Sequence, residues 1–412
     1  MVGGGIFAVL GTAVSISGGG TPLAFLLAGI IALLTAYSYA KLSVAIPRSG
    51  GTVVFLDRAF GIDLATGSLN VMLWLCYLVT IALYASAFGA YASTFFTHSY
   101  PWLNHVLISI GIILPTVINL MDSDFVGKSE IFVVVFKLVL LGVVIVAGLP
   151  GTDYARMSLS EISQPLNLIA GGMVIFVAYE GFELIANAAE DVRNPRRTLP
   201  IALYGSVLFV MLLYVLIAVV TVGSVAPEII PQVKDYALAE AAKPALGHVG
   251  FVLVSVSALM ATFSAINATI YGNARLGYTL AKDGELPEPL EHKTWNRPLD
   301  GVLITALLSL LLANLVELTG IAIMGSAGFL IIFAVVNLSN LKLASLTGAS
   351  PTIAASGFLA CSAALITLLY HTAEDNPEAL VVVSGMIISA VLFELFYPKI
   401  SNRRAAKRIR TY

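Results

Sequence analysis

The sequence predicts an all-α integral membrane protein in which two helices are broken at membrane depth. Three observations lead there. Hydrophobic residues make up 58% and charged residues 11% of the 412-residue chain, with a mean hydropathy of +0.93, and that balance leaves too little polar surface to coat a soluble globule. Apolar runs of spanning length recur from end to end. Inside one of them, Phe176-Val177-Ala178-Tyr179-Glu180-Gly181-Phe182-Glu183 sets two carboxylates and a glycine where each charge costs on the order of 3 kcal/mol.

Spans are expected at 23–45, 64–96, 103–121, 130–150, 165–189, 199–224, 248–281, 300–316, 321–346, 352–371 and 378–397, with a shorter apolar segment at 6–17. Each must be helical, because hydrocarbon offers no partner for backbone N–H and C=O groups. The formal charge of −2 hides an asymmetry. With the loop after 23–45 placed inside, 18 of the 22 Lys and Arg fall inside, only Arg156, Lys234 and Lys243 fall outside, and Lys137 lies within a span. This distribution supports both the span count and a cytoplasmic C-terminus. The basic tail Arg403-Arg404-Ala405-Ala406-Lys407-Arg408 reads as a topology anchor, with anionic lipid contact as the second role.

Several function classes drop out. Cys76 and Cys361 lie in apolar spans without metal-ligand spacing, so neither a disulfide framework nor a zinc site is expected. The histidines, His98, His105, His248, His292 and His371, sit at span ends or in loops. No Walker A or dinucleotide fingerprint follows a strand pattern, and no loop is long enough for a nucleotide-binding domain. No cofactor and no nucleic-acid partner are therefore expected. Met1-Val2-Gly3-Gly4-Gly5-Ile6-Phe7 has no basic start and no cleavage site, so it is not a signal peptide.

That N-terminal stretch reads instead as the second half of a broken helix. Gly3, Gly4 and Gly5 leave their amides unshielded, and a helix starting near Ile6 points its positive dipole end at whatever lies beside it. A flexible start is the alternative reading. Gly181 breaks a later helix in the corresponding position, and paired discontinuous helices mark a binding site at a repeat interface. Counting spans, the first break opens helices one to five and the second opens helices six to ten. The expected organisation is one permease domain, with a first repeat over 1–150, a second over 165–346, two further helices over 352–397 and the tail 398–412.

Three intramembrane ionisable residues stand out. Glu180, at the second break, is a candidate proton site or contact for a cationic group, whereas Glu183 fits a structural charge at the start of the next half-helix. Lys137, within Val135-Phe136-Lys137-Leu138-Val139, pays for its charge when buried and is a candidate to load and release a proton. Snorkelling to an interface or pairing with a carboxylate is its structural alternative. Asn267-Ala268-Thr269 matches a glycosylation pattern inside a span, where hydrogen bonding across helices is the commoner role for Ser264, Asn267 and Thr269.

These residues resemble the amino acid/polyamine/organocation (APC) permeases with the LeuT-like fold, over nearly the whole chain. The resemblance is carried by Gly3-Gly4-Gly5-Ile6-Phe7, by Tyr39-Ala40-Lys41-Leu42 through Pro47-Arg48-Ser49-Gly50-Gly51, by the Phe176–Glu183 signature followed by Ala189 to Pro200, and by Asn267-Ala268-Thr269, Arg275 and Ala281-Lys282-Asp283-Gly284-Glu285-Leu286-Pro287. It implies a 5+5 inverted repeat with two broken helices plus two extra C-terminal helices. It implies that amides of Gly3, Gly4, Gly5 and Ile6 receive a substrate carboxylate and that carbonyls around Phe176, Ala178 and Tyr179 hold its ammonium, with Glu180 and Gly181 also in the substrate site. Phe176 and Tyr179 would wall or gate the side-chain pocket. Lys137 looks like the helix-five lysine of a proton-coupled branch, which makes sodium coupling less favoured.

The resulting expectation is a proton-coupled amino acid symporter of the cell inner membrane working by alternating access, with no metal and no enzymatic chemistry. An exchanger or facilitator without ion coupling, and a nontransporting amino acid sensor, stay open as alternatives. The family pattern also places roughly twenty residues before the first break. The expectation here is a misassigned or missing start.

Overall fold

The computed structural model describes residues 1–48, 50–96, 100–121, 124–158, 165–291 and 298–401. Ser49 of the second motif, His98, His292, Lys293, Arg297 and the basic tail beyond Ser401 lie outside the described residues. Within them, ten helices are long and apolar enough to cross a membrane, and two shorter apolar helices accompany them. In chain order the α-helices of the described residues are α1 (Gly5–Ser17), α2 (Thr21–Ala45), α3 (Gly51–Phe60), α4 (Leu64–Ser93), α5 (Pro101–Met121), α6 (Asp124–Gly148), α7 (Pro165–Val174) and α8 (Glu183–Asn187). There follow α9 (Pro195–Ser224), α10 (Ile230–Val233), α11 (Ala237–Lys282), α12 (Leu299–Leu315), α13 (Leu318–Lys342), α14 (Ala344–Thr347), α15 (Pro351–Asp375) and α16 (Pro377–Ser401).

Local chemistry sets the boundaries. Proline opens or nearly opens α2, α9 and α15, where its missing N–H is one that a first turn leaves unpaired anyway. Asp63 and Thr66 form a reciprocal capping box at the start of α4, with the Thr66 amide on Asp63 Oδ1 at 2.9 Å and the Asp63 amide on Thr66 Oγ1 at 3.0 Å. Gly247, at φ 64 and ψ −160, bends α11 into a shorter outer piece and the spanning piece that ends at Lys282.

The sequence places a single span over 165–189, whereas the structure divides it into three. α7 ends at Val174, a 3-10 stretch runs from Ile175 to Phe182, and α8 resumes at Glu183. The interruption is thus a tightening of the helix rather than an open coil, which keeps its backbone groups paired at a depth where water is absent. The loop after α2 holds the unforeseen short helix α3, opened by Gly50 and Gly51 at φ 106 and 41. Positive φ at both is what glycine permits.

α4 occupies the centre of the bundle, packed by α5, α11, α12, α13 and α16. α1 lies against α7 and the 3-10 stretch, so it faces the interrupted helix. α2 runs along α9, and α13 along α15. At its midpoint α1 passes the 3-10 turn Lys234–Tyr236 so closely that a Cβ on Gly11 would overlap the Lys234 carbonyl. Gly205, by contrast, has nothing within 4 Å of its Cβ position. Gly11→Val should therefore destabilise the detergent-solubilised protein by about 1–3 kcal/mol, read as a lowered unfolding temperature, while Gly205→Ala should leave it nearly unchanged. An unaltered Gly11→Val midpoint would contradict this packing.

Candidate functional site

The start of α1 and the interrupted helix touch through their backbones. A Cβ on Gly5 would lie 2.9 Å from Ala178 Cα, and one on Gly181 would lie 3.0 Å from Met1 Cα. Only residues without side chains allow that approach. The first backbone bond of α1 runs from the Ala8 amide to the Gly4 carbonyl at 3.0 Å, so the amides of Gly5, Ile6 and Phe7 have no acceptor within the helix. These donors lie at the positive end of the helix dipole, where an anion is favoured.

Beside this junction lies a cavity of about 330 Å³. Gly3, Lys137, Glu180, Gly181 and Glu183 line it together with Tyr77 and Tyr84 of α4 and Ser264, Ala268 and Thr269 of α11. Lys137, Glu180 and Glu183 are 4%, 5% and 1% exposed, so three buried ionisable groups, from α6, the 3-10 stretch and α8, line one cavity. At low dielectric such groups hold a net positive or negative charge only at a cost, which makes the charge state of the cavity sensitive to any ligand or proton that enters.

The carboxylates are held by hydroxyls. Thr80 Oγ1 donates to Glu180 at 2.9 and 3.1 Å, and the Tyr84 hydroxyl donates to it at 3.4 Å. Thr52 Oγ1, from α3, donates to Glu183 Oε1 at 2.9 Å and lies 2.7 Å from the Tyr39 hydroxyl. Since Thr52 has one proton and gives it to Glu183, Tyr39 is the donor to Thr52. The second oxygen, Glu183 Oε2, is buried without a hydrogen-bond partner.

The residues singled out from sequence divide into two groups. Gly3, Glu180, Gly181 and Lys137 meet at the cavity, whereas Gly4, Gly5, Ile6, Phe176, Ala178 and Tyr179 form the packed junction behind it. Tyr84 covers Gly4, its Cδ1 being 2.6 Å from the position of an added Cβ. The side chains of Phe176 and Tyr179 turn away from the cavity. Phe176 packs edge-on against Phe333 at 5.8 Å, and Tyr179 packs against Tyr214 at 5.4 Å while its hydroxyl donates to the Phe25 carbonyl at 2.9 Å. They are core residues rather than cavity walls. Asn267 bonds across helices as expected, its Oδ1 accepting from Asn119 Nδ2 at 2.8 Å.

Sequence reasoning missed Thr52, Tyr77, Thr80 and Tyr84. The last three recur at intervals of three and four along α4, a polar stripe that helical periodicity places on one face.

A bundle of spanning helices with an ionisable cavity where the start of α1 meets the interrupted helix is the architecture of a multi-pass membrane protein consistent with an APC-type transporter fold. The sequence profile of the family described as amino acid permease matches residues 1–396. An uncharacterized protein of Methanocaldococcus jannaschii is 36% identical, covering 98% of this chain and 93% of its own length. The inner membrane transport protein YbaT of Escherichia coli is 32% identical over 95% of this chain and 92% of its own length. The serine/threonine exchanger SteT of Bacillus subtilis is 26% identical over 71% of this chain and 68% of its own length. The chain belongs to the amino acid permease family.

Because Thr80 supplies the shortest hydrogen bond to Glu180, Thr80→Val should leave that buried carboxylate short of a donor and cost about 1–3 kcal/mol of stability. Thermal unfolding of the purified protein checks it, with Thr80→Ser expected to retain most of the lost midpoint. Equal midpoints for the Val and Ser variants would remove the hydrogen bond as the cause.

Proposed function

We propose that the protein carries amino acids across the cell inner membrane by alternating access, coupled to the movement of protons. The observation that supports this reading is the shared cavity, in which Lys137, Glu180 and the backbone of both helix interruptions stand together. A zwitterionic solute answers both ends of such a site. Its carboxylate suits the amides at the N-terminal end of α1, and its ammonium suits the carbonyls of the 3-10 stretch around Phe176, Ala178 and Tyr179 and the carboxylates beside them. Lys137 Nζ takes up or gives away the proton, and Glu180 is the second proton site. Each protonation changes the charge of the cavity, which biases the balance between states open to opposite sides.

In this reading residues 1–150 and 165–346 are the two repeats, and the C-terminus is cytoplasmic, as the distribution of Lys and Arg favours. Exchange without ion coupling is a second reading, favoured by the likeness to a protein named as a serine/threonine exchanger.

Uptake of radiolabelled amino acids into proteoliposomes separates the two. A proton-coupled carrier should accumulate its substrate when the outside is made acidic. Lys137→Ala should lose at least tenfold of that gradient-driven uptake while retaining exchange of labelled for unlabelled substrate. Uptake driven by sodium and indifferent to pH would reject the proton assignment, and exchange with no response to any gradient would favour the second reading.

A further inference from the structure

The position of the second interruption is set from outside its own helix. Ser326, in the middle of α13, is 0% exposed. Its Oγ accepts the Val177 amide at 3.0 Å and donates to the Val174 carbonyl at 2.8 Å. A 3-10 turn would pair that amide directly with that carbonyl, three residues back. The serine hydroxyl therefore sits inside one turn of the helix, at the point where α7 gives way to the 3-10 stretch. Insertion of a side chain into the backbone ladder is one of the few causes of a sharp change in helix geometry.

The neighbouring glycines make the insertion possible. A Cβ on Gly325 would lie 2.9 Å from Val177 Cγ2 and 3.4 Å from Val79 Cγ1. A Cβ on Gly328 would overlap Cys76 Sγ. α13 thus presses its backbone against both the interrupted helix and the central α4, and Ser326 is delivered to the Val174–Val177 turn by that close approach. α13 is itself packed against α15, α4, α2 and α16.

The geometry points to Ser326 as a positioning residue that fixes where the second helix departs from α-geometry, and so aims the carbonyls of Ala178 and Tyr179 without touching the solute. It rests on the proposed amino acid site for its functional consequence, but not for its structural one. With alanine at 326, the hydroxyl that bridges the Val177 amide and the Val174 carbonyl is gone, and the carbonyl is free to take the Ala178 amide four residues on, which extends the α-ladder. With threonine, the hydroxyl is kept.

Two measurements on the full-length protein test this. Hydrogen exchange followed by mass spectrometry should show Ser326→Ala altering the exchange of peptides covering 170–182 more than those covering α9 or α15, with Ser326→Thr close to the unsubstituted protein. In proteoliposomes, using each of the twenty proteinogenic amino acids as probe, Ser326→Ala should raise the half-saturating concentration about tenfold, the factor that corresponds to one net hydrogen bond. Its maximal rate should move less than threefold, and Ser326→Thr should restore the half-saturation. Unchanged exchange at 170–182 in Ser326→Ala would overturn the positioning role whatever the transport result. If the exchange changes yet half-saturation does not, Ser326 shapes the helix without aiming the site, and the inference fails. If the unsubstituted protein moves none of the twenty, the proposed function fails, and the exchange measurement alone decides the helix geometry.

Discussion

Every backbone amide and carbonyl at membrane depth must find a partner inside the protein, because hydrocarbon supplies none. The whole architecture follows from that constraint. It makes the spans helical, and it dictates how the two departures from helicity are built. The first departure lies at the end of α1, where Gly3 turns its amide back on the Met1 carbonyl at 2.8 Å. The second does not unravel. It tightens into eight residues of 3-10 helix, and at its upstream end a serine hydroxyl stands between the amide and carbonyl that lost their ordinary partners.

The same constraint governs the side chains. Glu180 and Glu183 are buried as deeply as the apolar core, and each is met by a hydroxyl from a different element, Thr80 of α4 and Thr52 of α3. Hydroxyls hold a carboxylate without neutralising it. Lys137 brings an amine into the same cavity from α6. The result is a cavity whose charge responds to what occupies it, while beside it Tyr39, Phe182 and Phe333 pack as a cluster with centroids 5.1 to 5.7 Å apart.

Much of this was legible in the sequence because it is written in strong local signals. Spans follow from apolar length, and the interruption within 165–189 from a glycine between two acids at 180 and 183. What remained hidden depends on contacts between residues far apart in the chain. Ser326 sits 149 residues from Val177, and nothing in its own surroundings marks it as different from any small residue of a membrane helix. Phe176 and Tyr179 point into the core for the same reason, since the direction of an aromatic ring is set by its neighbours in α2, α9 and α13 and not by its place in a motif. Thr80 and Tyr84 belong to a polar stripe that helical periodicity could have revealed, but a stripe does not say which carboxylate it serves.

The chain of hydroxyls from Tyr39 through Thr52 to Glu183 carries a mechanical implication. Thr52 has a single hydrogen and has already spent it on the carboxylate, so α3 is fastened to the start of α8 by one directed bond. If those two pieces drift apart, the acid is stripped of a donor while still shut away from solvent. Either they travel together as a unit, or solvent floods in at the instant they separate. Parting and wetting are then a single event on that side of the molecule.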